Sequence, residues 1–272
     1  MSHLIFGGSG QVGHFLLPRL ATRGEAVCAL SRTVSTDNSG VHWLRGALPD
    51  AQGLPQEPIA LISLGPLTAF AEWLEQAPLR NQPRVVALSS MSALSKHDSP
   101  DLGERAMIDA LLDAEQRVVA CCERRGLRWT LLRSTLIYGA GTDKSLSPIA
   151  RAAMRWRVFP LPQGRGLRQP VHADDLALAV LGALDEPRSA SCVIAVGGGE
   201  RLRASAMFAR VRAALPVWTL PLPIPRMAFA MLARLLPQRA AMIGRLDTDL
   251  VADTAEAERL LGLHARAFEP HA

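Results

Sequence analysis

Short apolar runs alternate with stretches of helical spacing through the first 140 residues of the chain. Leu4–Phe6 is too short for a helix and predicts a first strand. After a cluster of glycines, Val12, Phe15, Leu16 and Leu20 recur at near-helical spacing, which predicts a helix closed by Arg23 and Gly24. Further runs predict strands at about Ala26–Ser31, Val41–Leu44, Ile59–Leu64, Arg84–Ser89 and Trp129–Arg133. Helices are predicted over Thr68–Gln76 and about Glu104–Arg125, the second ended by Arg124, Arg125 and the stop Gly126. Strands that alternate with helices in this way predict an α/β fold, a doubly wound parallel sheet covered on both faces.

The pattern changes after residue 140. Pro160, Pro162 and Pro170, and later Pro216 to Pro225, break the chain into short helices and strands. The expected division is a core over 1–140, with 141–272 returning in part to the sheet and forming a smaller C-terminal lobe. The long helix carries two apolar stripes, one of Ile108, Leu112, Val119 and Cys122, the other of Met107, Leu111, Ala114, Val118 and Cys121. A helix packed only on its own sheet needs one stripe, so the wide arc predicts a homodimer, unless the C-terminal lobe covers it.

Composition narrows the class. The 272 residues are 49% hydrophobic and 20% charged, which excludes a disordered or fibrous chain. The formal charge of +5 comes from scattered arginines without a basic block, so no nucleic-acid partner is expected. Cys28, Cys121, Cys122 and Cys192 contain no C-x-x-C pair and read as reduced thiols rather than zinc ligands. The N-terminus shows no secretory pattern, and prolines and arginines interrupt Leu215–Leu236, so neither a signal peptide nor a membrane span is expected. A cytoplasmic location follows as the expectation.

The first candidate chemistry lies in Gly7-Gly8-Ser9-Gly10-Gln11-Val12-Gly13, between the first strand and the first helix. Gly7 permits a tight turn, Gly10 lets backbone amides approach a pyrophosphate, and Gly13 permits close packing of helix on strand. Ser9, Gln11 and Val12 supply further backbone at the helix N-terminus. A dinucleotide is therefore the expected cofactor. At the end of the second strand, where an acid would bond the ribose of NAD, stand Ser31 and Arg32, with the nearest acid at Asp37. A hydroxyl and a guanidinium suit a 2′-phosphate, which favours NADP(H), with NAD(H) as second choice.

Together with Val86-Ala87-Leu88-Ser89-Ser90, Leu132-Arg133-Ser134-Thr135-Leu136-Ile137-Tyr138-Gly139 and Gln169-Pro170-Val171-His172-Ala173-Asp174-Asp175-Leu176-Ala177, the glycine loop resembles the extended or atypical short-chain dehydrogenase/reductases, the NAD-dependent epimerase/dehydratase-like group. The resemblance covers most of residues 3–185. It implies a Rossmann-type sheet, a bound nicotinamide dinucleotide and a C-terminal substrate lobe. It also implies a Tyr-x-x-x-Lys pair that moves a proton, helped by a Ser or Thr. The chain has one tyrosine, Tyr138, followed four residues later by Thr142, and its two lysines are Lys96 and Lys144. Placing the family helix by Ala114-Glu115-Gln116 puts Met107 at the tyrosine position and Leu111 at the lysine position. Met91 takes the usual serine position, with Ser92 beside it.

Substitute groups are few. Ser95-Lys96-His97-Asp98 follows the fifth strand; an unperturbed His97 would titrate near neutrality, but the segment reads first as a solvated polar loop. Tyr138 faces either the pocket or a backbone partner. His172-Ala173-Asp174-Asp175 in isolation reads as a metal or acid/base cluster, but it resembles the family's structural joint, in which an acid caps the following helix. The expected function is that of a dinucleotide-binding protein of this group without standard catalysis. The alternative is an active oxidoreductase or epimerase on a small carbonyl or nucleotide-sugar substrate with a non-standard acid/base.

Overall fold

The computed structural model describes residues 2–33, 40–95, 101–143, 145–225 and 245–270. Seven fully parallel strands form one sheet. They are β1 (His3–Phe6), β2 (Val27–Ser31), β3 (Val41–Arg45), β4 (Ala60–Ser63), β5 (Arg84–Ser90), β6 (Trp129–Ser134) and, far along the chain, β11 (Cys192–Val196). Their order, β11-β6-β5-β4-β1-β2-β3, is that of a doubly wound fold. β1 and β2 are buried at every position because helices cover both faces, which is why they read as apolar runs rather than alternating ones.

On one face, α1 (Gln11–Thr22) and α6 (Ala173–Asp185) pack Leu16, Leu20, Leu176 and Val180 against Ile5, Ile62 and Leu132. On the other, α2 (Leu67–Gln76) and α4 (Leu102–Arg124) pack Phe70, Trp73, Val118 and Cys122 against Phe6, Val85 and Leu131. The observed strands and helices lie within two residues of the expected bounds. The long helix starts two residues earlier than Glu104 because the Asp101 carboxylate accepts the Glu104 N–H and caps it.

Between β6 and β11 the chain builds the smaller elements: β7 (Ile137–Tyr138), α5 (Leu146–Trp156), β8 (Val158–Pro162), β9 (Leu167–Arg168) and β10 (Val171–His172). After β11 follow β12 (Leu202–Arg203), α7 (Ala204–Ala213) and β13 (Leu220–Ile224), with α8 (Ala255–Leu261) returning to the α6 face. They pair as β7 with β10, β8 with β13 and β9 with β12, around a third core that includes Tyr138, Phe159, Met207 and Phe268. The short α3 (Ser92–Ser95) joins β5 to the segment before α4.

The two apolar stripes of α4 divide differently from the expectation. Ala114, Val118, Cys121 and Cys122 are buried, and Leu111 and Val119 pack against the core that α2 helps to build. Part of the arc is thus covered by α2 of the same chain. Met107 stays 60% exposed and Leu102 73%. No helix among the described residues is long and apolar enough to cross a membrane.

Candidate functional site

The strand order reverses beside β1. The chain runs outward through β2 and β3, then returns to β4 on the other side of β1. In an open parallel sheet such a switch point opens a crevice at the carboxyl ends of the strands, the usual place for a ligand. The glycine loop enters this crevice. Gly7 has φ +78°, and a Cβ there would lie 2.8 Å from the backbone N of Gly65, in the loop after β4. A Cβ on Gly13 would lie 2.0 Å from the Gly8 carbonyl oxygen, so only glycine lets α1 approach the loop so closely. A Cβ on Gly10 would meet the Gly7 oxygen at 3.1 Å, and the Gly10 N–H donates to that same oxygen at 3.0 Å. Gly10 is the N-cap of α1, and no side chain caps the helix. The first-turn amides of Gln11, Val12 and Gly13 have no intrahelical acceptor, and no acid sits in that turn. With Ser9 exposed at the rim, the loop presents backbone donors and a helix dipole, the donor set a pyrophosphate needs.

At the end of β2, Ser31 is buried and its hydroxyl lies 3.4 Å from that of Thr33, while Arg32 is exposed. Asp37 lies outside the described residues. One neighbour was not singled out from sequence. Arg45, at the end of β3, is directly in register with Ser31, and the Gly46 N–H donates to the Ser31 carbonyl at 2.9 Å. Two exposed guanidinium-bearing residues thus flank Ser31. Only strand pairing brings Arg45 there, so no local signal announced it.

Further along the sheet, Glu115 joins the ends of β5 and β6. Its buried carboxylate accepts from the Ser89 hydroxyl and from two nitrogens of Arg133. The bond to Glu115 holds the Arg133 guanidinium above its usual range. Met107, Leu111 and Glu115 recur every fourth residue and share one side of α4. That stripe runs from an exposed methionine through a half-buried leucine to a buried, ion-paired glutamate. Neither Met107 nor Leu111 can exchange a proton. The Met91 N–H donates to the Ser134 carbonyl and the Ser92 N–H to the Ser90 hydroxyl, so this loop is tied to the ends of β6 and β5.

The other candidates separate. The Tyr138 hydroxyl donates to the Ala267 carbonyl and accepts from the Glu269 N–H, both at 3.2 Å, and burial pushes its pKa up. It ties down the C-terminal segment. At the joint before α6, the expected acid cap is corrected. The acceptor is Nδ1 of His172, 3.1 Å from the Asp174 N–H, because His172 is the residue with extended, N-cap backbone. Asp174 instead binds Arg19 and Arg266, and Asp175 binds the side chain and N–H of Arg266. Lys96, His97, Asp98 and Lys144 lie outside the described residues. Among the described residues, no three His, Cys, Asp or Glu gather as a metal site.

A seven-stranded parallel sheet of this order, with a glycine loop leading into the first helix, defines a doubly wound α/β fold. A model of the NAD dependent epimerase/dehydratase family matches residues 110–197. A UDP-glucose 4-epimerase of Vibrio cholerae is 25% identical over 155 residues, 55% of this chain and 46% of that protein, so the match spans about half of the relative's length. MoeE5 in complex with UDP-glucuronic acid and NAD superposes with a TM-score of 0.75 at 21% identity, over 98% of this chain and 95% of that one. UDP-glucuronic acid 4-epimerase from Bacillus cereus, also with UDP-glucuronic acid and NAD, gives 0.75 at 14% identity, over 98% and 95%. DesIV, a dTDP-glucose 4,6-dehydratase from Streptomyces venezuelae with NAD bound, gives 0.73 at 17%, over 98% and 93%. The chain resembles the epimerase/dehydratase family in sequence across 110–197 and shares the fold of these structures almost end to end.

Proposed function

We propose that this protein binds a nicotinamide dinucleotide in the crevice between β1 and β4. The observation that carries this reading is the three-glycine loop, closed to a Cβ by backbone at Gly7 and Gly13 and tight at Gly10, opening onto uncapped helix amides at the strand-order reversal. Gly7, Ser9, Gly10, Gln11, Val12 and Gly13 would hold the pyrophosphate, and Ser31 and Arg32 the adenosine ribose. We favour NADP(H), although the neighbours named above hold NAD, because Arg32 and Arg45 flank Ser31 where a carboxylate would repel a 2′-phosphate. Residues 1–140 form the cofactor core, and 141–272 supply the seventh strand and the lobe over its edge. The bound group supplies hydride acceptance or donation at its nicotinamide ring.

The protein's own contribution to proton transfer is where it departs from its relatives. With Met107 and Leu111 in the stripe that ends at Glu115, the standard acid/base is missing, and Glu115 is committed to Ser89 and Arg133. Binding without standard turnover is the reading this supports. The nucleotide-sugar complexes among the structural neighbours favour a second reading, an oxidoreductase or epimerase with a non-standard acid/base. The exposed Met107 and Leu102 support a homodimer through α4.

Two measurements test the proposal together. Arg32→Ala should weaken NADPH by about 1.5–3 kcal/mol, the scale of a charged hydrogen bond, and leave NADH nearly unchanged. Equal losses for both cofactors would remove the 2′-phosphate assignment. Incubation with NADP(H) and a panel of carbonyls and nucleotide sugars should show no cofactor consumption or epimer formation; steady turnover would establish the second reading.

A further inference from the structure

α5 ends on Trp156, which is 70% exposed, and the turn at Arg157 leads directly into β8. β13 runs parallel beside β8, and the Leu220 N–H donates to the Arg157 carbonyl at 2.8 Å, so β13 begins where α5 ends. Side chains alternate along this segment. Thr219 is buried, while Trp218, Leu220 and Leu222 are 70%, 50% and 51% exposed. Two tryptophans and two leucines thus stand open to solvent on one part of the lobe. Isolated exposed apolar residues are ordinary, but a cluster containing two tryptophans is not.

The charge near them is mostly positive. Segments 145–173 and 201–225 contain nine arginines and no aspartate or glutamate, so all 25 acids of the chain lie elsewhere. The carboxylates that reach this lobe lie away from Trp156: Asp143 accepts the Leu146 N–H at the opposite end of α5, Glu200 pairs with Arg210 of α7, and Asp247 and Asp249 accept the backbone N–H groups of Arg165 and Leu167 at the β9 side. Arg151, Arg155 and Arg157 are exposed and form no ion pair among the described residues. The Arg155 guanidinium lies 5.2 Å from the centroid of the Trp156 ring.

We propose that the end of α5 and the outward side of β13 dock on the surface of an anionic lipid bilayer. Trp156, Trp218 and Leu220 would enter the headgroup layer, and the three arginines would meet lipid phosphates. Tryptophan suits this depth, since it has a large apolar body and one polar N–H. Arginine buries its stem in apolar surroundings while its charged head meets the phosphate. A nucleic acid would use the cations but has no place for the leucines of β13. Attachment of this kind is peripheral and needs no spanning helix.

The test is flotation of the full chain with vesicles of phosphatidylcholine, with and without phosphatidylglycerol. Binding is expected only to the vesicles containing phosphatidylglycerol, weakening as salt rises. Combined Arg151→Glu, Arg155→Glu and Arg157→Glu should abolish it, since each cation is worth about fivefold near such a surface. W156S/W218S changes only exposed side chains, so its circular dichroism and NADPH titration should match the parent while vesicle binding falls at least tenfold. The proposal is overturned by absence of binding to the anionic vesicles, or by equal binding of W156S/W218S. Tighter binding to duplex DNA or RNA than to the vesicles would also overturn it, as would a solution oligomer that W156S/W218S dissolves.

Discussion

Gly10 and Gly13 answer to contacts within their own few residues, and this is why the glycine loop is legible in sequence. Gly13 faces Gly8 and Gly10 faces Gly7, whereas Gly7 depends on a distant residue, Gly65. Glu115 is the opposite case. Its sequence neighbours show a polar position in an amphipathic helix, whereas its role comes from Ser89 and Arg133 on two different strands. Removing it leaves the Arg133 guanidinium, 19% exposed, without its anion. Glu115→Ala should therefore destabilise the fold by about 3 kcal/mol in urea unfolding, at the lower end for a broken buried pair. A change below about 0.5 kcal/mol would mean that the cluster contributes little to holding the strand ends.

At the scale of elements, apolar runs located the sheet strands well, because both faces of a doubly wound sheet are buried. Proline misled the reading of the lobe. Pro221 and Pro223 in β13 argue against a strand, yet β13 pairs with β8 over five residues. The Leu220 N–H donates to Arg157, and N–H groups along a strand point to alternate sides. The prolines fall on the positions whose N–H would face away, so no ladder bond is lost. α4 was readable as a helix, but which neighbour covers its stripes was not, since α2 reaches it only through the fold. The homodimer now rests on the positions α2 leaves open. Met107→Asp should convert a dimer to a monomer in sedimentation without loss of stability, and a parent chain that sediments as a monomer at micromolar concentration would exclude the dimer. Val119 is unsuitable for this purpose because it packs within its own chain.

For the whole molecule, the C-terminal segment is the clasp. Arg266 reaches Asp174 and Asp175 on α6, Arg19 reaches Asp174 from α1, and Tyr138 bonds the backbone at 267 and 269. Burial by itself would raise the Asp174 carboxyl, but the donors Arg19 and Arg266 outweigh it and hold the group below its ordinary value. A lowered carboxyl binds its proton less readily folded than unfolded. Its stabilising contribution is therefore full above about pH 4 and is lost as the pH falls through the folded value. Melting temperature measured down to about pH 3 should fall steeply in the parent and less steeply in Asp174→Asn. Parallel acid limbs would show that other carboxylates govern the acid response.

The claim on which the functional account stands is that the crevice between β1 and β4 receives a dinucleotide. Calorimetric titration of the full chain with NADPH, beside a Gly10→Asp variant shown to be folded by circular dichroism, tests it most directly. The account predicts saturable one-to-one binding by the parent, weaker binding of NADH, and no binding by the variant, in which a side chain and a negative charge occupy the place of the pyrophosphate. A parent chain that binds neither NADPH nor NADH, or a folded variant that binds as well as the parent, would contradict it.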